Sequence, residues 1–262
     1  MSTQPMPLRA RRITAIVTMV IAIATLIFAN PDSYENSQKI TDAELRAEAL
    51  SSVQTQADSL LAADVLDNLA VQEKHETGPN GEDDYNRKLF YDNWGLDAAG
   101  CSMREAILMR DLDEESIQMQ DECKVASGNL LDPYTGKLIN FIRGQKTSSA
   151  VQIDHVVALS NAWATGAYDD EKFNDDLRYA LSQDPLNLIA VDGPANQEKS
   201  DQDASDWLPE NEAFQCQYVA RQISVKYKYH LWVTPREKIT MRKVLENCPD
   251  EPTVGLELGT SD

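Results

Sequence analysis

The sequence predicts an α+β protein, in which a mainly helical domain with short β-hairpins follows a helical linker and an N-terminal signal or membrane segment. Three observations predict this class. The chain opens on a basic flank and an apolar stretch, two short apolar runs ("VQIDHVV" and "LNLIAV") are separated by a helical stretch, and most other segments have helical composition. A length of 262 residues and an apolar fraction of 42% suit one globular unit with appendages.

Residues 1–30 are predicted to be a signal peptide or an N-terminal membrane anchor. Three arginines, Arg9, Arg11 and Arg12, precede residues 13–29, an uncharged and mostly apolar stretch of 17 residues. This pattern fits a cleaved signal or a short anchor equally, because the small-residue cleavage pattern is poor. Both alternatives place the remainder outside the cytoplasm, since positive charge stays inside. The predicted location is therefore secreted, or anchored to the cytoplasmic membrane with the domain outside.

Residues 31–84 are predicted to form an acidic helical linker or stalk. Residues 38–72 contain neither Gly nor Pro, and Thr41 followed by Glu44 is a candidate capping box. Residues 30–99 hold 15 acidic and 5 basic residues, a net charge of −10. The compact domain is predicted to begin near Tyr85 and to cover residues 85–249.

The first part of the domain is predicted to contain a helix and a hairpin. "SMREAILMRDL" has the spacing of one apolar helical face. In "GNLLDPYTGKLINFIRG", Asp132, Pro133 and Gly136 give turn chemistry between two short apolar runs, which predicts a hairpin.

The second part is predicted to run strand, helical insertion, strand, helix. Asp192 is a candidate cap, with Gly193 and Pro194 opening the helix after "LNLIAV". Two more helices are predicted in "AFQCQYVARQISVKYKYHLWV" and "TPREKITMRKVLENC", the latter capped by Thr234. Residues 250–262 are predicted to be an acidic, disordered tail.

Four cysteines are compatible with an exported protein. None lies in a CxxC pair, which disfavours a zinc knuckle. An even number in an exported chain predicts two disulfides, and we favour Cys101 with Cys123 and Cys216 with Cys248 because each pair brackets one local segment. Four buried free thiols are the alternative.

The charge distribution leaves a nucleic-acid partner open. A net charge of −19 argues against such a partner, but residues 221–243 hold seven basic residues and one acidic residue, a net charge of +6. This basic strip can hold a phosphate backbone, and it fits a solvated helix face equally well.

Five polar residues form the constellation that carries chemistry. His155 is the candidate general base, since imidazole titrates near neutrality, and the carboxylate of Asp154 and the carbonyl of Asn196 are hard ligands that suit Mg²⁺ or another divalent cation such as Mn²⁺. Lys199 lies on the same side of the helix as Asn196 and can hold a substrate phosphate or be simply solvated. Asn187 is expected to orient His155 through the hairpin, or only to stabilise a turn. Base, metal and phosphate ligand are what phosphodiester hydrolysis by water requires.

The motifs "DHVVALSNAW", "DPLNLIAVDGPANQEKSD" and "VARQISVKYKYHLWVTPREK" resemble the exported HNH endonuclease family proteins of actinobacteria, which share the C-terminal nuclease domain of GmrSD-type restriction enzymes. The resemblance implies a ββα-metal (HNH) fold with His155 as base, Asp154 and Asn196 on the metal, and Asn187 as the middle N. It also implies that Arg104, which follows Cys101 in a family run, reaches a phosphate.

These patterns predict a metal-dependent endonuclease that acts on nucleic acid outside the cytoplasmic membrane. DNA is favoured over RNA and sequence preference is expected to be low, because no base-reading module is visible. A monomer is expected, with membrane contact through the N-terminal segment if it is not cleaved. The alternatives are a catalytically inactive, membrane-tethered binding module with an HNH-like fold and a helical envelope spacer.

Overall fold

The computed structural model describes residues 59–76 and 85–257, which form a mixed α+β fold as predicted. Seven α-helices are present in this part of the chain: α1 (Ala62–Asn68), α2 (Met103–Asp111), α3 (Leu159–Ala162), α4 (Asp175–Gln183), α5 (Gly193–Lys199), α6 (Glu212–Lys228) and α7 (Pro235–Leu245). Helix α3 continues into a π-helical turn, Trp163–Ala167. The strands are β1 (Ser59–Leu61), β2 (Gln118–Met119), β3 (Val125–Leu131), β4 (Leu138–Ile142), β5 (Val151–His155), β6 (Leu188–Asp192) and β7 (Pro252–Glu257).

The strands form three small antiparallel sheets, in the orders β1-β7, β2-β3-β4 and β5-β6. The predicted hairpin is β3-β4. Its turn is built by Asp132, whose Oδ2 accepts hydrogen bonds from the backbone N and the hydroxyl of Thr135. Gly136 has φ +71°, a left-handed conformation that favours glycine.

The predicted order strand, helical insertion, strand, helix is present as β5, α3 with α4, β6 and α5. Strand β5 pairs with β6 in a register that places Val151 opposite Asp192 and His155 opposite Leu188. The Asp192 side chain then caps α5 by accepting a hydrogen bond from the backbone N of Ala195 at 3.0 Å. Chain direction therefore reverses immediately after β6, and α5 packs back on both strands.

Strand β6 is buried because each of its faces meets a different hydrophobic cluster. Leu188 and Ala190 pack in the cluster formed with α2 and the β3-β4 hairpin. Ile189 and Val191 pack in the cluster formed with α1, α6 and α7. Since successive side chains of a strand point to opposite faces, one apolar run supplies both clusters. The β5-β6 pair is thus fixed between two halves of the core.

Helix α7 begins with the predicted cap. The Thr234 side chain accepts from the backbone N of Glu237, and the Glu237 carboxylate accepts from the backbone N of Thr234, which completes a capping box. Glu237 also forms a fully buried ion pair with Lys226 of α6 at 2.9 Å. Lys226, one of the seven bases of the strip, therefore connects α6 to α7 and is not available to a phosphate backbone.

Two predicted boundaries are wrong in part. Helix α1, placed in the linker by the sequence, buries Ala62, Val65 and Leu66 against α6 and α7, so the compact unit begins before Tyr85. The predicted disordered tail contains β7, which pairs with β1. Strand β7 forms because β1 supplies a pairing edge far away along the chain. The leader, the capping box at Thr41, and residues 258–262 lie outside the described residues.

Both predicted disulfides are present. Cys101–Cys123 connects the residue before the α2 cap to the segment before β3, and Cys216–Cys248 connects α6 to the segment after α7. The paired residues are separated by 22 and 32 positions, so each cross-link closes a loop that stabilises the fold by about 3 kcal/mol. Within residues 59–76 and 85–257, none of the helices has the length and apolar character that a membrane span requires.

Candidate functional site

Asp154 lies near the end of β5 and is buried, with 6% of its surface exposed. Its Oδ2 accepts a hydrogen bond of 2.6 Å from the hydroxyl of Tyr134, a fully buried residue in the β3-β4 turn. Lys199 of α5 lies 3.0 Å from Oδ1 and 2.9 Å from Oδ2. Burial raises the pKa of Asp154 above its usual value, while the ammonium of Lys199 and the hydroxyl of Tyr134 act in the opposite direction.

Lys199 is fully buried, and its contacts differ from the predicted one. Besides Asp154, its Nζ donates to the backbone carbonyl of His155 at 2.9 Å. The predicted contact with a substrate phosphate is therefore wrong for this arrangement, because no part of the side chain reaches solvent. The sequence correctly placed Lys199 and Asn196 on one side of α5, but that side packs against β5, so the lysine meets Asp154.

His155 follows Asp154 directly, so its side chain points to the opposite face of β5. Its Nε2 lies 2.9 Å from the backbone carbonyl of Ser182, at the end of α4. A carbonyl oxygen only accepts, so Nε2 carries the hydrogen, and in the neutral ring Nδ1 keeps a free lone pair. Burial, together with the nearby charges of Arg87 and Lys199, lowers the pKa of His155 to about 3, against the opposing effect of the hydrogen bond to Ser182. The imidazole is neutral at physiological pH and can accept a proton at Nδ1.

Asn187 is fully buried and fixes the segment that follows His155. Its Oδ1 accepts from the backbone N of Val157 at 2.8 Å, and its Nδ2 donates to the carbonyl of Val157 at 3.2 Å. The amide thereby pairs with both polar groups of one residue, two positions after the histidine. These contacts fit both predicted roles of Asn187, which are to orient His155 through the backbone and to stabilise a turn.

Asn196 lies on α5, where its Nδ2 donates to Oε1 of Gln152 at 2.9 Å. Gln152 precedes Asp154 by two positions on β5, so both point to the face covered by α5. The Asn196 carbonyl oxygen accepts no hydrogen bond from the described part of the chain. It is an uncharged hard oxygen on a half-buried residue, at the junction of strand and helix.

Arg104 is not brought into this group by any described contact. It lies in the first turn of α2, 3.8 Å from the carboxylate of the neighbouring Glu105, and its Nη1 is buried without a hydrogen bond. Burial lowers the pKa of its guanidinium. Glu105 itself is held by Arg143 at 2.6 Å. The predicted contact of Arg104 with a phosphate therefore has no support in the geometry.

The sequence missed several residues that shape the site. Tyr134 holds Asp154, Ser182 supplies the carbonyl that fixes the tautomer of His155, and Tyr91 and Trp94 pack against the imidazole, with ring centroids 5.9 and 6.0 Å away. The signal that could have found Tyr91 and Trp94 is the run "YNRKLFYDNWG", which combines aromatic and basic residues. Nothing local in the sequence marks Ser182.

The donor types fit a hard divalent cation in part. The Asn196 carbonyl oxygen is open, whereas the Asp154 carboxylate already meets Lys199, Tyr134 and the backbone N of His155. Oxygen ligands of this kind suit Mg²⁺ or Mn²⁺. Elsewhere in residues 59–76 and 85–257, Cys216, Cys248 and Glu251 cluster within metal-ligand distance, but both sulfurs are in a disulfide.

The described chain is thus a small α+β domain in which a buried histidine ends a strand pair beside a short polar helix. Residues 103–244 match the C-terminal domain of GmrSD restriction endonucleases. An uncharacterized secreted protein of Arthroderma benhamiae is 34% identical over 189 residues, which cover 71% of this chain and 84% of that protein. No solved structure matches the chain. The chain belongs to the GmrSD C-terminal domain family, as its motifs predicted, and this membership suggests a nuclease domain.

Proposed function

We propose that this chain is an HNH endonuclease that hydrolyses phosphodiester bonds of nucleic acid with a divalent metal, outside the cytoplasmic membrane. The observation that carries the proposal is the fixed tautomer of His155. Its Nε2 hydrogen is committed to the Ser182 carbonyl, which leaves Nδ1 as the acceptor of the ring. A histidine in this state is set up to take a proton from water.

The protein groups have distinct roles in the proposed reaction. His155 Nδ1 accepts the proton of the attacking water, and the Ser182 carbonyl keeps the ring in one orientation while charge develops on it. Asn187 holds the backbone after His155, so the ring is presented by a rigid segment. Precise positioning of a base contributes to rate because it removes the entropy cost of bringing the groups together.

The metal is proposed to be held by Asn196 and Asp154 at the end of β5, where His155 is the last residue of the strand and points to its other face. When bound, a divalent cation stabilises the charge that develops on the phosphate and on the leaving oxygen. Lys199 holds the Asp154 carboxylate between strand and helix. The lysine thus positions a metal ligand and does not contact substrate.

The rest of the predicted organisation is part of the same proposal. Residues 1–30 are a signal or anchor, most of residues 31–84 link it to the domain, and the domain acts as a monomer. The two disulfides and the name of the Arthroderma benhamiae relative support an extracellular location. The name of the matched family, restriction endonucleases, supports DNA as the substrate.

A catalytically inactive binding module is the second candidate, and one observation favours it. Lys199 and Tyr134 already contact both oxygens of Asp154, and the residue is 6% exposed. If that arrangement persists with substrate, the carboxylate contributes little to a metal site. The fold would then hold nucleic acid without cleaving it.

A cleavage assay on the purified chain separates the two candidates. Plasmid DNA is incubated with Mg²⁺, with Mn²⁺ and with EDTA, and His155→Ala is compared with His75→Ala, which removes a histidine that stacks on Tyr168. We expect cleavage only with metal, abolished in His155→Ala and kept in His75→Ala. Asp154→Ala and Asn196→Ala are expected to lose activity also. Equal activity of wild type and His155→Ala would refute the enzyme assignment, and binding without cleavage would favour the inactive module.

A further inference from the structure

Three flat side chains lie beside the proposed base in one continuous series. The Trp94 ring is parallel to the His155 imidazole, at an angle of 9° and a centroid distance of 6.0 Å. Tyr91 lies 5.3 Å from Trp94 and 5.9 Å from His155. The guanidinium of Arg87 lies over the face of Tyr91, 5.0 Å from its centroid. The series therefore runs from the catalytic imidazole outward to an exposed cation.

The same segment separates core residues from surface residues. Phe90, between Arg87 and Tyr91, is 1% exposed and packs in the core, whereas Arg87 is exposed and Tyr91 and Trp94 are half-buried. Tyr91 and Trp94 pack at the edges of two hydrophobic clusters, so each ring is covered only in part. These rings and the guanidinium offer planar faces to a ligand at the site.

The segment that carries Tyr91 and Trp94 is held in a fixed position relative to His155. The backbone N of Gly95 donates to Oε1 of Gln183 at 2.7 Å, next to Ser182, whose carbonyl fixes the imidazole. The segment and the histidine therefore share one support, the end of α4. A ligand that stacks on these rings therefore takes a defined position relative to Nδ1 of His155.

Two exposed cations accompany the rings in this segment. Residues 85–95 hold two bases, Arg87 and Lys88, and one acid, Asp92, in a chain whose net charge is −19. Lys88 is exposed beside Arg87. Planar groups combined with local positive charge are the features that bind unpaired nucleotides, because bases stack on the rings while the cations meet the phosphates.

We propose that Arg87, Tyr91 and Trp94 form a stacking platform for unpaired bases, so that the site takes single-stranded nucleic acid in preference to duplex. The inference rests on the proposed nuclease function and names its substrate class. In a duplex, the faces of the bases are covered by their neighbours in the stack and cannot reach the platform. Stacking is tolerant of base identity, which agrees with low sequence preference.

Binding without turnover tests the platform. A fluorescein-labelled oligodeoxythymidine of about 12 nucleotides, within the range of single-strand sites, and its duplex with oligodeoxyadenosine are titrated with the chain in EDTA by fluorescence anisotropy. We expect tighter binding of the single strand, weakened roughly 5- to 100-fold in Trp94→Leu and in Arg87→Ala. Arg87→Lys, which keeps the charge but not the plane, should show a large part of the Arg87→Ala loss.

Two controls make the result specific. Lys137→Ala removes one exposed cation from the β3-β4 turn and should change neither affinity. Circular dichroism checks that each variant is folded. Because Arg87 is exposed, Arg87→Ala is expected to keep the fold. Oligouridine in place of oligodeoxythymidine shows whether the platform serves RNA as well as DNA.

The outcomes separate the platform from the nuclease. Equal affinity for single strand and duplex, or full single-strand affinity in both Trp94→Leu and Arg87→Ala, overturns the platform. Cleavage of the single strand and of plasmid DNA by the same wild-type preparation, with Mg²⁺, is scored independently, and the absence of both counts only against the proposed function. Single-strand binding that requires Arg87 and Trp94 supports the platform, whether or not the protein cleaves nucleic acid.

Discussion

The Lys199 ammonium contacts both carboxylate oxygens of Asp154, and neither side chain is more than 7% exposed. This ion pair joins α5 to β5, the two elements that carry the proposed metal ligands. A buried ion pair adds little net stability, but removing one partner leaves an uncompensated charge in the interior. The pair therefore makes the position of Asp154 dependent on Lys199.

Replacing Lys199 by Met is expected to destabilise the fold strongly. The substitution leaves the Asp154 carboxylate buried with only the Tyr134 hydrogen bond, so the free energy of unfolding should fall by about 3–5 kcal/mol. Guanidinium denaturation measures this loss. In Lys199→Met with Asp154→Asn, no charge remains buried, and the loss should be clearly smaller. A single-variant loss below about 1 kcal/mol would contradict the buried pair.

Replacing Asn187 by Ala is expected to reduce activity more than substrate binding. Val157 loses the partners of its backbone N and carbonyl, which costs about 1–3 kcal/mol of stability and loosens the segment after His155. Steady-state kinetics on an oligonucleotide substrate should show a lower kcat with KM nearly unchanged. The control is Asn129→Ala, which removes a side-chain hydrogen bond between β3 and β4. An equal loss of kcat in this variant would show that the effect is only structural.

The organisation around β5, β6 and α5 could be predicted because its signals are local. The apolar run of β6, the cap at Asp192 and Pro194 at the start of α5 all lie within a few residues of the structure that they specify. The pairing of the cysteines could be predicted for the same reason, since each disulfide closes one local segment.

The surroundings of the site could not be predicted because they depend on packing between distant segments. Tyr134 reaches Asp154 from a turn 20 residues earlier, and the Ser182 carbonyl reaches His155 from 27 residues later. The strand β7 needs β1, and Thr253 bonds the Leu60 carbonyl across 193 positions. The acidic composition of the tail concealed this pairing. The spacing on α5 predicted the side of the helix on which Lys199 lies, but it did not predict that the lysine is buried.

Removing the second disulfide is expected to lower stability without changing the site. The variant Cys216→Ser with Cys248→Ser opens the link between α6 and the segment leading to β7, and should reduce the free energy of unfolding by about 3 kcal/mol. Thermal unfolding with and without a reducing agent measures the effect. Wild type should shift on reduction more than the variant, which keeps only Cys101–Cys123. Identical melting of wild type in both conditions would contradict the two disulfides.

Acid is expected to weaken the attachment of residues 59–76 through Asp203. Burial alone would raise the pKa of this carboxyl, but hydrogen bonds from Lys74, at 2.8 Å, and from Ser205 hold the pKa below its usual value. A carboxyl whose pKa is lower in the folded state stabilises the fold above the unfolded pKa, about 4, and loses this contribution as the pH falls through the folded value.

The variant Asp203→Asn should therefore be less stable than wild type at pH 7, and the difference should shrink as the pH falls below about 4. Urea denaturation at a series of pH values measures both curves. Glu210→Gln removes an exposed acid that lies 3.7 Å from Lys137, and solvent screens that pair, so its curve should follow that of wild type. A constant difference between Asp203→Asn and wild type across the whole range would show that Asp203 acts through packing. In that case, the charge of Lys74 would not hold the first segment to the domain.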